Sequence, residues 1–98
     1  MNVIWTAEAE ETFRVILLYL SSEFSERRAE KFYDECYDVL KQIKIDPFLF
    51  KETEIKLTHK AVIHKFTTLF YKVNLEENSI ILLFFFDTRQ NPNKKTFL

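Results

Sequence analysis

Ninety-eight residues with 47% hydrophobic content are the size of one domain, residues 1–98, with a core of its own. The chain has no glycine, so nucleotide-binding classes built on a glycine-rich phosphate loop are excluded; its one cysteine, Cys36, excludes an intramolecular disulfide and a cysteine cluster for zinc. The net charge of −1 hides an asymmetry, because residues 1–40 hold four Lys or Arg against nine Asp or Glu while residues 41–98 hold ten against six. An acidic first part thus precedes a basic second part, whose charge suits nucleic acid or an acidic protein partner.

The first residues, MNVIWTAEAEETF, are acidic where a secretory leader would need a basic and then an apolar stretch. The longest apolar run, Ile80–Phe86, is far too short to span a membrane. A soluble, cytoplasmic protein without membrane attachment is the expectation.

Asn2 to Trp5 is a short β-prone opening. Thr6 has the side chain of a helix N-cap, and Glu8, Glu10 and Glu11 put negative charge in the turn that follows. Ala9, Phe13, Ile16, Leu17, Leu20 and Phe24 then recur along one helical face. SSEFS interrupts that helix and Ser25 caps a second, with the face Ala29, Phe32, Tyr33, Cys36, Leu40 and Ile43. Asp46-Pro47 closes it, because the residue before proline disfavours helical geometry. So short a break predicts an antiparallel helical hairpin. Cys36 lies on the apolar stripe and reads as a small core hydrophobe.

From Pro47 to Lys60 no period is clear; a loop is expected, with room for a short strand at Glu54–Leu57. Ala61–Phe66 alternates, with Val62, His64 and Phe66 on one face and Ile63 and Lys65 on the other. Thr68–Leu75 points Leu69, Tyr71, Val73 and Leu75 inward, and residues 76–78 make a hairpin turn in which Asn78 best tolerates positive φ. Ile80–Phe86 is apolar at every position, which predicts a mid-sheet strand covered on both faces. The order is β-α-α-β-β-β: an α+β fold with a two-helix hairpin packed on one face of a mostly antiparallel sheet, and a second face left open.

Three segments carry a family resemblance: VIWTAEAEETF at the start, LFYKV at 69–73, and LLFFFDTRQNP at 82–92. Their order and spacing resemble the RelE/ParE superfamily of type II toxin–antitoxin toxins, a bacterial family associated with plasmid stabilization. The resemblance implies a growth-inhibiting toxin that acts on DNA gyrase or on translation and is neutralised by a cognate antitoxin. It implies no cofactor, whether small molecule or metal. One branch of the family is a ribosome-dependent mRNA endoribonuclease; an inactive module that only binds an antitoxin is a further alternative. In the nuclease branch basic residues do the work. Arg89 matches the arginine after the last strand, and Lys65, with His64, a basic position on the strand before the Tyr-x-Val strand. Thr68 stands where many nuclease members carry an arginine, so an enzymatic role stays open.

Cleavage through a ribose 2′-hydroxyl needs a base, an acid and positive charge at the phosphate. His64 or Lys65 would be the base and Arg89 the phosphate clamp, its planar fork suiting two oxygens. His59, Lys60, Lys72 and Lys94 are the supplementary basic residues for binding the target. The plainer readings are that Arg89 pairs with Asp87, that Lys65 is a solvated lysine and His64 a packed histidine, and that Tyr71 and Trp5 are core aromatics. Alternation puts His64 and Lys65 on opposite faces, so only one of them could share the open face with Arg89.

Overall fold

A computed structural model describes residues 1–90. Its five strands form one mixed sheet. β1 (Asn2–Trp5) leads to α1 (Ala7–Glu23) and α2 (Glu26–Ile45), followed by β2 (Lys51–Glu52), β3 (Thr58–His64), β4 (Thr67–Asn74) and β5 (Ser79–Asp87). The spatial order is β1-β5-β4-β3-β2, with β1 parallel to β5 and every other pair antiparallel. The expected α+β order and the helical hairpin on one face are what the structure has. Ile80–Phe86 does lie mid-sheet, between β1 and β4.

Both helix starts follow from their caps. The Thr6 hydroxyl accepts the Ala9 N–H at 3.0 Å and the Ser25 hydroxyl accepts the Arg28 N–H at 3.1 Å, each meeting a donor that has no partner within the helix. Ala9, Phe13, Ile16 and Leu20 of α1 and Ala29, Phe32, Cys36, Leu40 and Ile43 of α2 are buried against Leu69, Tyr71 and Val73 of β4 and Ile80, Leu82 and Phe85 of β5. Trp5 packs edge-on to Phe13 and stacks on Phe85, so it belongs to this core. Burial pushes the Cys36 thiol up, leaving it an inert hydrophobe.

Strand boundaries differ from expectation in four places, the first being that β3 starts at Thr58 and not at Ala61. Glu54–Leu57 is a turn, and the short strand is Lys51–Glu52, paired to His59 and Lys60. The turn needs Leu57 in the left-handed region (φ 64°); Glu52 Oε2 accepts its N–H and its carbonyl accepts the Val73 N–H. β3 ends at His64, so Lys65 and Phe66 form the β3–β4 turn instead of extending the strand. Leu75 lies beyond β4 and is exposed. The second positive φ falls on Asn78, as its side chain and position suggested.

Two bulges interrupt the alternation. In β5, Leu82 opposes Tyr71 and Phe84 opposes Phe70, which makes Leu83 an extra residue. The inward series therefore runs Ile80, Leu82, Phe85, Asp87. In β3, Val62 opposes Thr68 while His64 opposes Thr67, which makes Ile63 the extra residue. Cross-strand partners share a face, so His64, Thr67 and Asp87 all lie on the helix side. The second face carries an apolar layer too, with Phe70 and Phe86 buried and Phe70 stacked on Phe84 at 4.8 Å.

Candidate functional site

Arg89 follows β5 directly, and the β5 bulge decides which side it serves. Its Nε donates to Asp87 Oδ1 at 3.1 Å and its Nη2 to Asp87 Oδ2 at 2.8 Å, while its backbone N–H donates to Oδ1 at 2.9 Å. The Thr67 hydroxyl adds a fourth bond to Oδ2 at 2.7 Å. Burial alone would push the Asp87 carboxyl up, but the bonds from Arg89 and Thr67 outweigh it and hold the group below the ordinary aspartate value. The guanidinium lies over the Phe66 ring at 4.6 Å and near the Tyr19 ring at 5.6 Å. Two donors of its fork are thus committed to Asp87, the plainer of the two readings of this arginine.

A cleft of about 200 Å³ opens beside this pair, between the start of α2 and the ends of β3 and β5. Leu20 and Phe32 line it with Arg28, Lys31, Glu35, His64 and Arg89. His64 and Arg89 therefore do come together, on the helix side and not on the open face. Lys65 is an exposed turn residue whose ammonium sits 5.0 Å from the Phe66 ring. Arg28, Lys31 and Glu35 carry no motif; the signal available for them was their spacing around Phe32 on one helical face.

His59 lies elsewhere. It is 3% exposed, Phe50 O accepts from its Nδ1 at 2.9 Å, and its ring stacks on Tyr71. Nε2 is buried with no hydrogen-bond partner among the described residues. A histidine enclosed in this way packs the core and offers no charge to a target at the surface. Tyr71 is likewise a core residue: its hydroxyl donates to Pro47 O at 2.7 Å, and burial pushes its pKa up to about 12.

Lys60 and Lys72 are exposed on the face away from the helices. Lys60 borders a groove of about 520 Å³ with Lys51, Ile55, Phe70, Leu83 and Phe84, between the sheet and the β2–β3 turn. Lys94 lies outside the described residues. Among the described residues, no group of three or more His, Cys, Asp or Glu could hold a metal ion, and no helix is long and apolar enough to cross a membrane.

No family model and no curated protein sequence matches the chain. Solved structures do match in fold. One is a chromosomal ParDE TA system from P. aeruginosa, with TM-score 0.73, 13% identity, and 89% of this chain and 95% of that chain covered. A YoeB/ParE toxin from Agrobacterium tumefaciens gives TM-score 0.65 at 14% identity, covering 89% and 98%. The toxin–antitoxin complex RelBE2 from Mycobacterium tuberculosis gives 0.54 at 14% identity, covering 88% and 95%. Nearly the whole described chain superposes on these small proteins, so its α+β arrangement, with the two-residue β2 as a further strand, is the RelE/ParE-like toxin fold.

Proposed function

We propose that the chain is the toxin of a toxin–antitoxin pair, arresting growth in the cytoplasm by acting on DNA gyrase or on translation and neutralised by a cognate antitoxin. The observation that carries the reading is the fold, shared over 89% of the chain with a ParDE system and a YoeB/ParE toxin. Of the two modes of action, the side chains favour one that does not cut RNA. Cleavage needs a base, an acid and a cation around one phosphate. Arg89 has its fork on Asp87, Thr68 has no charge to offer, and the described cations of the open face are lysines without a histidine or arginine among them.

The test is induced expression in bacterial cells, alone and together with the product of the adjacent reading frame. Growth should stop in the first case and resume in the second, with no new 5′ ends in cellular mRNA by primer extension. New ends at defined codons would establish the endoribonuclease instead. A chain that binds the neighbouring product without arresting growth is an interaction module. Adding purified protein to a supercoiling assay and to a cell-free translation reaction then separates gyrase from the ribosome.

A further inference from the structure

The helix-side cleft has a charge count that selects its ligand. Arg89 and Asp87 neutralise one another across 2.8 Å. That leaves Arg28 and Lys31 against Glu35, one net positive charge among these side chains, with the His64 ring beside them. Its inner wall is apolar, since Leu20 and Phe32 are each 3% exposed. At about 200 Å³ it admits one planar acid group with a few waters. Beside its mouth stands Phe24, half exposed, with the Arg28 guanidinium 4.8 Å above the ring.

We propose that this cleft receives a single aspartate or glutamate side chain from an extended segment of a protein partner, with an apolar neighbour of that acid resting on Phe24. The proposal rests on the neutralising-partner half of the reading above and names the chemistry by which such a segment is held. A monoanionic carboxylate matches one net positive charge, whereas a phosphate group approaching its second ionisation would face Glu35 with too little compensation. A nucleic acid meets a further obstacle. The helical layer around the cleft belongs to residues 1–40, where nine acidic residues outnumber four basic ones, and this field repels a polyanion. A short peptide with one acid meets only a single charge's share of that repulsion.

Binding is read on the purified protein, independently of any toxicity. The probes are a capped peptide Ala-Leu-Glu-Leu-Ala, its Gln counterpart, inorganic phosphate and a single-stranded RNA oligonucleotide, each titrated while the His64 ring and the arginine Nε–H resonances are followed. The Glu peptide should shift the His64 ring and the Arg28 and Arg89 Nε–H signals saturably, and the Gln peptide should not. Reversing both exposed cations, Arg28→Glu with Lys31→Glu, should weaken the Glu peptide by about tenfold or more with the fold intact by circular dichroism. Glu35→Gln should tighten it. Equal response to both peptides, or saturation by phosphate or RNA without response to the Glu peptide, overturns the proposal. Because the growth assay is separate, peptide binding without growth arrest would sink the toxin reading and leave the cleft standing; arrest without peptide binding would do the reverse.

Discussion

Asp87 keeps almost no exposed side-chain surface, and what makes its charge tolerable is the Arg89 fork and the Thr67 hydroxyl. Removing one member of a largely buried pair strands the other. Arg89→Ala should therefore cost about 3 kcal/mol of stability, a drop of at least about 10 °C in Tm for a domain of this size, with Arg89→Lys in between. A growth-arrest assay on Arg89→Ala thus needs a melting curve beside it, since lost toxicity would first report lost fold. If the Tm of Arg89→Ala stays within a degree of the parent, the structural role assigned here is wrong. The same pair sets a pH dependence. Asp87 is depressed in the folded state from an ordinary value of 3.8, so its contribution is present above that value and disappears as pH falls through it toward the folded pKa. Acid unfolding should be shallower in Asp87→Asn, from a lower starting stability, between about pH 5 and 2. Leu57 is the converse case, a β-turn leucine at φ 64° in a chain without glycine. Its N–H and C=O are both held, so Leu57→Gly should keep the turn and relieve strain, raising stability by about 0.5–1 kcal/mol. A lower Tm on substitution would mean that the leucine side chain packs better than its partial exposure suggests. Asn78 could be anticipated because its side chain favours the left-handed region; Leu57 could not, since nothing in a leucine advertises it.

At the scale of elements, the β5 bulge is tied to α1. The Thr6 hydroxyl that caps the helix also donates, in a shared bond, to the carbonyls of Leu82 and Leu83 at 2.7 and 3.0 Å, and the Thr12 hydroxyl accepts the Phe85 N–H at 2.9 Å. Backbone groups of β5 at and beyond the end of β1 are thereby satisfied by the side chains of the cap and of the helix. Thr12→Val keeps the shape and leaves the Phe85 N–H unpaired, so it should cost about 1–3 kcal/mol, with Thr12→Ser close to the parent in a denaturant titration. An unchanged midpoint for Thr12→Val would show that water replaces the bond. Helix caps and apolar stripes were legible because Thr6, Ser25 and the 3.6-residue spacing act locally. The bulges were not. In β5 every residue from Ile80 to Phe86 is apolar, so sliding the phase by one leaves no mark in hydropathy. That one-residue slip is why alternation placed Arg89 on the open face and coordinates place it with the helices. In β3 alternation left open whether His64 or Lys65 shares a face with Arg89; the bulge at Ile63 puts His64 there, and both border one cleft.

For the whole molecule, charge and layer coincide. The acidic helices cover one side of the sheet, while Lys60 and Lys72 stand on the other. If the growth target is engaged by that second side, Lys60→Glu with Lys72→Glu should abolish arrest in cells while moving Tm by less than about 0.5 kcal/mol equivalent, as surface changes do. Undiminished arrest would turn attention to the helix side. The fold class was readable from sequence because its signals are periodic. The assignment of side chains to a shared site was not, since it depends on register between segments far apart in the chain.

β1 and β5 meet through partners such as Trp5 and Leu82, which lie 77 residues apart in the chain (82 − 5). β5, which joins β1 to β4, is the last of the seven elements among the described residues, so a growing polypeptide exposes its helical hairpin before the surface that will cover it has been made. Closing so long a loop is slow compared with forming either helix. Synthesis therefore passes through an interval in which the apolar stripes of both helices are uncovered and the sheet lacks the strand that joins β1 to β4. On the proposed toxin reading, a neutralising partner already present in the cell would meet the chain during that interval, before the sheet closes.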